Sequence, residues 1–260
     1  MKRPVQAFSE TMTTNAFVRW RGSLMLVAGV LVVWQLLYAV VGEVALRSPA
    51  ETVEYTAALL ARETFWPHLA ETAKAFGAAL AISVALGLAI GFALGFHRLT
   101  NDVLEPVLVA VYSIPKLTLY PIVLLAFGLG MPAKIAFGVI HGFVPIALFT
   151  IGAVQNVKPV LIKSARVLKF GWFDMVTRVL FPAAVPEIFT GLRIGFALTL
   201  IGTLLGEMFA SQRGLGYMLM NAIGLHNVDV IMAVTFLLTV FAAAVSGILL
   251  AIDRRLHRRS

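Results

Sequence analysis

Apolar residues in this chain neither alternate nor gather on one face of a short helix; they continue. Six stretches, residues 24–42, 75–96, 106–127, 135–154, 188–209 and 230–252, are each apolar over about 20 residues, the length that crosses a hydrocarbon core ~30 Å thick as a helix. The first and last contain no charged residue. Short segments of dyad alternation, the mark of a membrane barrel, are absent. The predicted fold is all-α: a polytopic membrane bundle of six transmembrane helices. Polar breaks divide it into a lead-in over 1–22, a first span with its loop over 23–64, a core over 65–255 and a basic tail over 256–260.

Residues within the apolar runs refine this picture. Gly87, Gly91 and Gly95 share one helix face, and Gly138/Gly142, Gly191/Gly195 and Gly202/Gly206 repeat the spacing. Small residues four apart let helix backbones approach closely, within one chain or between two. The third run holds Pro115 and Pro121, which should kink or break it, with Lys116 between them. A cation at membrane depth either marks a pathway or snorkels to an interface; the sequence leaves both open. His141 reads as a core histidine or a relay. Arg193 and Glu207 lie too far apart to pair, about 21 Å along a helix. In the polar stretch 43–70, Ser48-Pro49 can open a short helix with proline in its first turn.

Composition excludes several functions. The chain is 60% hydrophobic and 13% charged, with a mean hydropathy of +0.90, so its 260 residues are consumed by spans and short loops. It has no cysteine, hence no disulfide or thiol chemistry. The net charge of +8 is unevenly spread. Six spans put both termini on one side, with Lys2, Arg3, Arg19, Arg21, Arg98, Lys158, Lys163, Arg166, Lys169, Arg178, Arg254, Arg255, Arg258 and Arg259. The opposite side carries Arg47, Arg62, Lys134 and Arg213. The positive-inside rule places the first set, and both termini, in the cytoplasm. It also accounts for the charge without a nucleic-acid partner.

The longest polar insert, Lys158 to Arg178, holds one carboxylate, Asp174, and no histidine; it offers a surface and no catalytic set. Lys163, Arg166 and Lys169 recur at three-residue spacing on one helical face, Ala165, Leu168 and Trp172 fall on another, and Gly171 is placed to end the helix. Such a helix is a peg for a cytoplasmic partner or a polybasic segment resting on the anionic lipid of the bilayer.

The insert resembles the EAA loop of ATP-binding-cassette (ABC) importer permeases. Lys163-Ser164-Ala165 falls on its E-A-A, Lys169 on its glycine, and Val179 to Pro182 near its closing I-x-L-P. VLFPAAVPEIFTGLRI, FGLGMPAKI, GEMFASQRGLGYM and the segment Tyr112 to Pro121 are similar, in order, to the nitrate/sulfonate/taurine-type permeases, over roughly residues 65–255. Two positions depart from the pattern: the glutamate is Lys163 and the glycine is Lys169.

The resemblance implies a homodimer in the bacterial inner membrane and two cytoplasmic ATPase subunits, which bind ATP and Mg. A periplasmic or lipid-anchored binding protein would deliver the solute. This chain would hold no cofactor and no catalytic residue. A coupling helix at about 158–173 would engage the ATPase through Lys163, Ser164, Ala165, Arg166, Leu168, Lys169, Phe170 and Gly171. Tyr112, Pro115, Lys116, Tyr120 and Glu207 would line the path of a small, polar, anionic solute. A secondary transporter would instead show internal repeats and central carboxylates, and an intramembrane enzyme a paired constellation; neither is visible.

Overall fold

The computed structural model describes residues 5–257, all in helices or the short turns that join them. Lys2, Arg3, Arg258 and Arg259 of the basic side lie outside the described residues. Helix α1 (Val5–Val41) runs without a break from the lead-in through the first span. Helix α2 (Pro49–Leu60) follows at the end of the bundle away from the 158–178 insert, the outer end by the charge reading, opened by Ser48 and Glu51, whose side chains and backbone amides exchange hydrogen bonds in a capping box. Then come α3 (Phe65–Gly95), α4 (Arg98–Ser113), a 3-10 turn (Lys116–Leu119), α5 (Tyr120–Phe127) and α6 (Met131–Gln155). The insert forms α7 (Pro159–Val167) and a short turn α8 (Trp172–Asp174). Beyond it are α9 (Phe181–Ala210), α10 (Leu215–Gly224) and α11 (Val228–His257).

Helix α6 is the hub. Phe137, Val144, Ile146 and Ala147 are wholly buried on it, and glycine faces bring α3 and α9 against it. A Cβ on Gly87 would lie 2.6 Å from Ile146, one on Gly91 would strike Thr150, and one on Gly95 would lie 2.9 Å from Val154. Both numbers of each pair rise together, so α3 and α6 run parallel. On the other side Gly138 faces Thr203, Gly142 faces Thr199 and Gly195 faces Ile146; one number rises as the other falls, so α9 is antiparallel. The glycine spacing therefore packs helices within this chain.

The parallel pair decides the topology. Gly95 ends α3 beside Val154, whereas Glu71 and Lys134, near the helix starts, meet at the opposite end, ~36 Å away by helix rise. Residues 96–130 must return across that distance, so α4 and α5 together make one crossing, bent by 85° at the 3-10 turn. The expected helix over 106–127 is thus broken, as its prolines require. Pro115 and Pro121 each lack an amide hydrogen and crowd the carbonyl four residues back.

Helix α11 descends antiparallel to α9, tied by Thr190 and Arg193 to Asp253. Helix α1 leans on it through Trp34 and Phe236, ring centroids 6.4 Å apart, and the Arg47–Asp229 pair. With five long apolar helices and one broken pair, the described residues make six crossings.

Three boundaries differ from expectation. Helix α3 begins at Phe65, before the apolar run, because His68, Glu71 and Thr72 are turned to partners on other helices. Helix α10, too short and apolar to stand out beside the spans, is an outer hairpin helix. Pro182 and Pro186 do not precede the fifth span but lie in it, and Met175–Leu180 widens into a π-helix just before them. A wider turn accommodates the hydrogen bond that proline cannot make.

Candidate functional site

At the outer end, four successive residues, the last two of the loop before α10 and the first two of α10 itself, are gripped by side chains from three helices. Lys134 Nζ donates to Arg213 O at 2.9 Å. Gly214 N–H donates to His68 Nδ1 at 3.2 Å, Leu215 N–H to Thr72 Oγ1 at 2.8 Å and Gly216 N–H to Glu207 Oε2 at 3.0 Å. Glu207 is 0% exposed and Lys134 1%. Thr72 Oγ1 donates to the Glu207 carboxylate, and Lys134 lies 4.0 Å from that carboxylate while bonding Glu71 at 2.9 Å. Buried charges persist only when paired and hydrogen-bonded, and here both are. Gly214, at φ +123°, leaves no room for a Cβ beside the carboxylate, so the loop requires glycine there. Glu207 was expected in the translocation path; in this structure it is 0% exposed and held within the clamp. The two glycines that follow it in GEMFASQRGLGYM were the available signal.

At mid-depth, the broken span carries Tyr112, Pro115, Lys116 and Tyr120. Lys116 curls back: its Nζ donates to Tyr112 O at 2.9 Å and sits 4.3 Å from the Tyr112 ring centroid. The cation thus caps a carbonyl freed where the helix breaks. Pro115 precedes the 3-10 turn on the exposed side. Tyr120 instead packs edge-on against Phe137 and Phe209, centroids 5.4 Å away in each case. Tyr112 opens onto a cavity shared with Arg193, a residue the sequence reading left out of the path. His141 Nδ1 lies 2.7 Å from Phe137 O within the core, a partnered core histidine.

At the inner end, α7 is shorter than expected. It stops at Val167, and the left-handed residue that ends it is Lys169, at φ +54°, not Gly171. Lys169 N–H bonds Arg166 O and Phe170 N–H bonds Ala165 O at 3.1 Å, closing the helix end in the manner glycine usually serves. Lys169 is the residue that aligns with the family glycine, and the turn expected at Gly171 forms two residues earlier.

Exposure also re-sorts the face. Ala165 is 2% exposed and seats the helix, whereas Val167 and Leu168 are 81% and 66% exposed. Ala165 and Leu168 therefore do not share an outward face. Lys163, Ser164, Arg166 and Lys169 are exposed and Phe170 is half-buried. The one acid, Asp174, is paired with Arg178 at 3.0 Å. Behind α7 lies a cavity of about 560 Å³, bordered by Asn156, Lys158, Leu161, Arg178, Pro186 and Glu187.

Outside the spans, the Ser48 backbone and hydroxyl hydrogen bonds hold the Glu51 carboxyl below its usual range, and the Asp229 carboxylate pushes the Arg47 guanidinium up. Among the described residues no group of three or more His, Cys, Asp or Glu side chains could hold a metal ion.

Known proteins share this architecture. Over 71% of the chain, and 94% of the other, it superposes on an inward-facing structure of the MetNI methionine ABC transporter, TM-score 0.59 at 20% identity. An amino acid ABC transporter solved with histidines gives a TM-score of 0.60 at 19% identity, over 79% and 97% of the two chains. These two establish the fold. In sequence the chain is 27% identical to the putative aliphatic sulfonates transport permease protein SsuC of Bacillus subtilis, over 91% of this chain and 87% of that one. It is 28% identical to the taurine transport system permease protein TauC of Escherichia coli, over 74% and 70%. The nitrate import permease protein NrtB of Synechocystis is 31% identical over 75% and 74%. Residues 83–260 match the family described as binding-protein-dependent transport system inner membrane component. The chain belongs to that family, as a multi-pass inner-membrane permease subunit of an ABC importer.

Proposed function

We propose that two copies of this chain form the path of an importer for small oxyanionic organic or inorganic solutes, of the sulfonate, taurine or nitrate kind that its relatives are named for. Two ATPase subunits, which bind ATP and Mg, seat the α7 segments, and an external binding protein delivers the solute. Both termini face the cytoplasm, as the basic side requires. The observation that carries this reading is the α7 surface: exposed Val167 and Leu168 rimmed by Lys163, Arg166 and Lys169, at the end of the bundle opposite the sealed clamp. Apolar knobs inside a cationic rim fit an acidic groove with an apolar floor. ATP binding closes the ATPase pair, draws the two segments together and shifts the bundle from inward- to outward-open.

The test is a paired substitution. Leu168→Asp should leave insertion and melting unchanged, abolish co-purification of the ATPase and stop ATP-dependent uptake into vesicles. Ala165→Asp should lower the melting temperature as well, because its carboxylate would be buried. ATPase co-purification untouched by Leu168→Asp, or uptake that persists without the ATPase on an ion gradient, would overturn the reading.

A further inference from the structure

Arg193 sits on α9 about 18 Å from its inner start and about 21 Å from Glu207 by helix rise, so it lies in the membrane interior. Its Nη1 is 3.8 Å from Asp253 Oδ2, outside hydrogen-bond distance, while Thr190 Oγ1 donates to Oδ1 of the same carboxylate at 3.2 Å. The Arg193 side chain is 30% exposed, and the residue borders a cavity of about 510 Å³ between α4, α9 and α11. Tyr112 and Ser246 are its other polar neighbours there, and Ile194, Ala197 and Leu198 supply an apolar wall. The Tyr112 ring also carries Lys116 Nζ 4.3 Å from its centroid.

A cation at this depth is costly and by default marks a functional site. Asp253 offsets its charge when the cavity is empty, yet the separation is too long to hold the guanidinium fork. That fork matches two oxygens of one anion.

We propose that this cavity is an interior binding site for a small oxyanion with a short apolar body, such as an alkanesulfonate. Arg193 is the ligand of its oxygens, Tyr112 and Ser246 are hydrogen-bonding neighbours, and Ile194, Ala197 and Leu198 take the apolar part. The inference rests on the permease reading and names the residue that selects the solute's charge.

The absence of native cysteine permits a direct test. Ser246→Cys is made in the full transporter, this chain with its ATPase and binding protein. It is reacted, in inside-out vesicles, with a sulfonate-bearing and a trimethylammonium-bearing methanethiosulfonate. The anionic reagent should react faster. Adding Arg193→Gln should shift the rate ratio about tenfold toward the cationic reagent, and Arg193→Lys should restore most of the preference. Ethanesulfonate should slow the reaction when Arg193 is present and not in Arg193→Gln.

An unchanged ratio in Arg193→Gln overturns the proposal. So does protection by phosphatidylglycerol in the vesicles but not by ethanesulfonate, which assigns the site to a lipid headgroup. If Arg193→Gln does not assemble, absence of ethanesulfonate protection in Ser246→Cys alone overturns it. Labelling requires no turnover, so a failure of ATP-driven uptake, which would count against the permease reading, is seen separately.

Discussion

The two ends of the bundle are built on opposite terms. The outer end buries its charges: Glu207 and Lys134 are sealed and bonded, and each residue from Arg213 to Gly216 is held by a side chain of another element. The inner end exposes its charges, leaves a cavity of about 560 Å³ behind α7 and presents Val167 and Leu168 to the outside. A sealed polar cluster is a rigid joint, because breaking any bond strands a charge in a low-dielectric interior. An exposed segment with few internal bonds moves at little cost and gains its structure from what it docks to. In the proposed mechanism the clamp is then the fixed end of the lever and α7 the driven one.

Removing one partner from the clamp is the severest way to break this comparison. Glu207→Leu leaves Lys134 only Glu71 and the Arg213 carbonyl and strips Thr72 and Gly216 of their acceptor, so it should cost about 3–5 kcal/mol. Thermal unfolding of the assembled transporter reads this, and a loss below about 1 kcal/mol would mean that the outer end is not the rigid one. Next in size is the α3–α6 seam that joins the two ends. Gly91→Leu drives a side chain into Thr150 and should cost about 1–3 kcal/mol, visible as lost monodispersity on size exclusion; a normal profile would show that the seam yields.

At the inner end the expected effect reverses sign. Lys169→Gly removes a left-handed lysine and should stabilise α7 by about 1 kcal/mol, measured as slower amide exchange at Leu168 to Phe170. Faster exchange would show that the lysine side chain, not its backbone, sets the turn. The smallest effect concerns the outer loop. Because Glu51 is held below its usual range, its contribution to the α2 cap is complete above the ordinary glutamate range and is lost as pH falls through the depressed value. Exchange at the first turn of α2 should therefore quicken only in acid, and pH-independent exchange there would deny the cap that role.

Much of the inner segment was legible as sequence and little of the clamp was. Lysines and arginines at three-residue spacing announce an exposed face wherever they occur. Spacing alone misplaced that turn at Gly171, because a glycine can take a left-handed conformation without being asked to. The setting of Glu207 was hidden for a different reason. A carboxylate in an apolar run signals that it has a partner, but its partners Thr72, Lys134 and Gly216 come from three places in the chain. Arg193 was likewise known as an intramembrane cation without the cavity it shares with Tyr112.

The chain's own pattern determined what is local or one-dimensional. The number of crossings follows from apolar length, the break in the third from prolines that cannot donate, the orientation argument from the placement of lysine and arginine, and close packing from glycines at fixed spacing. Tertiary structure decided what depends on coincidence in space. The glycines meet helices of the same chain, α3 and α6 run parallel, one buried acid is a joint, and one half-exposed arginine faces a cavity. Helix rise and solvation act on each segment by itself, whereas a buried charge is satisfied only by whatever the fold brings within about 3 Å of it.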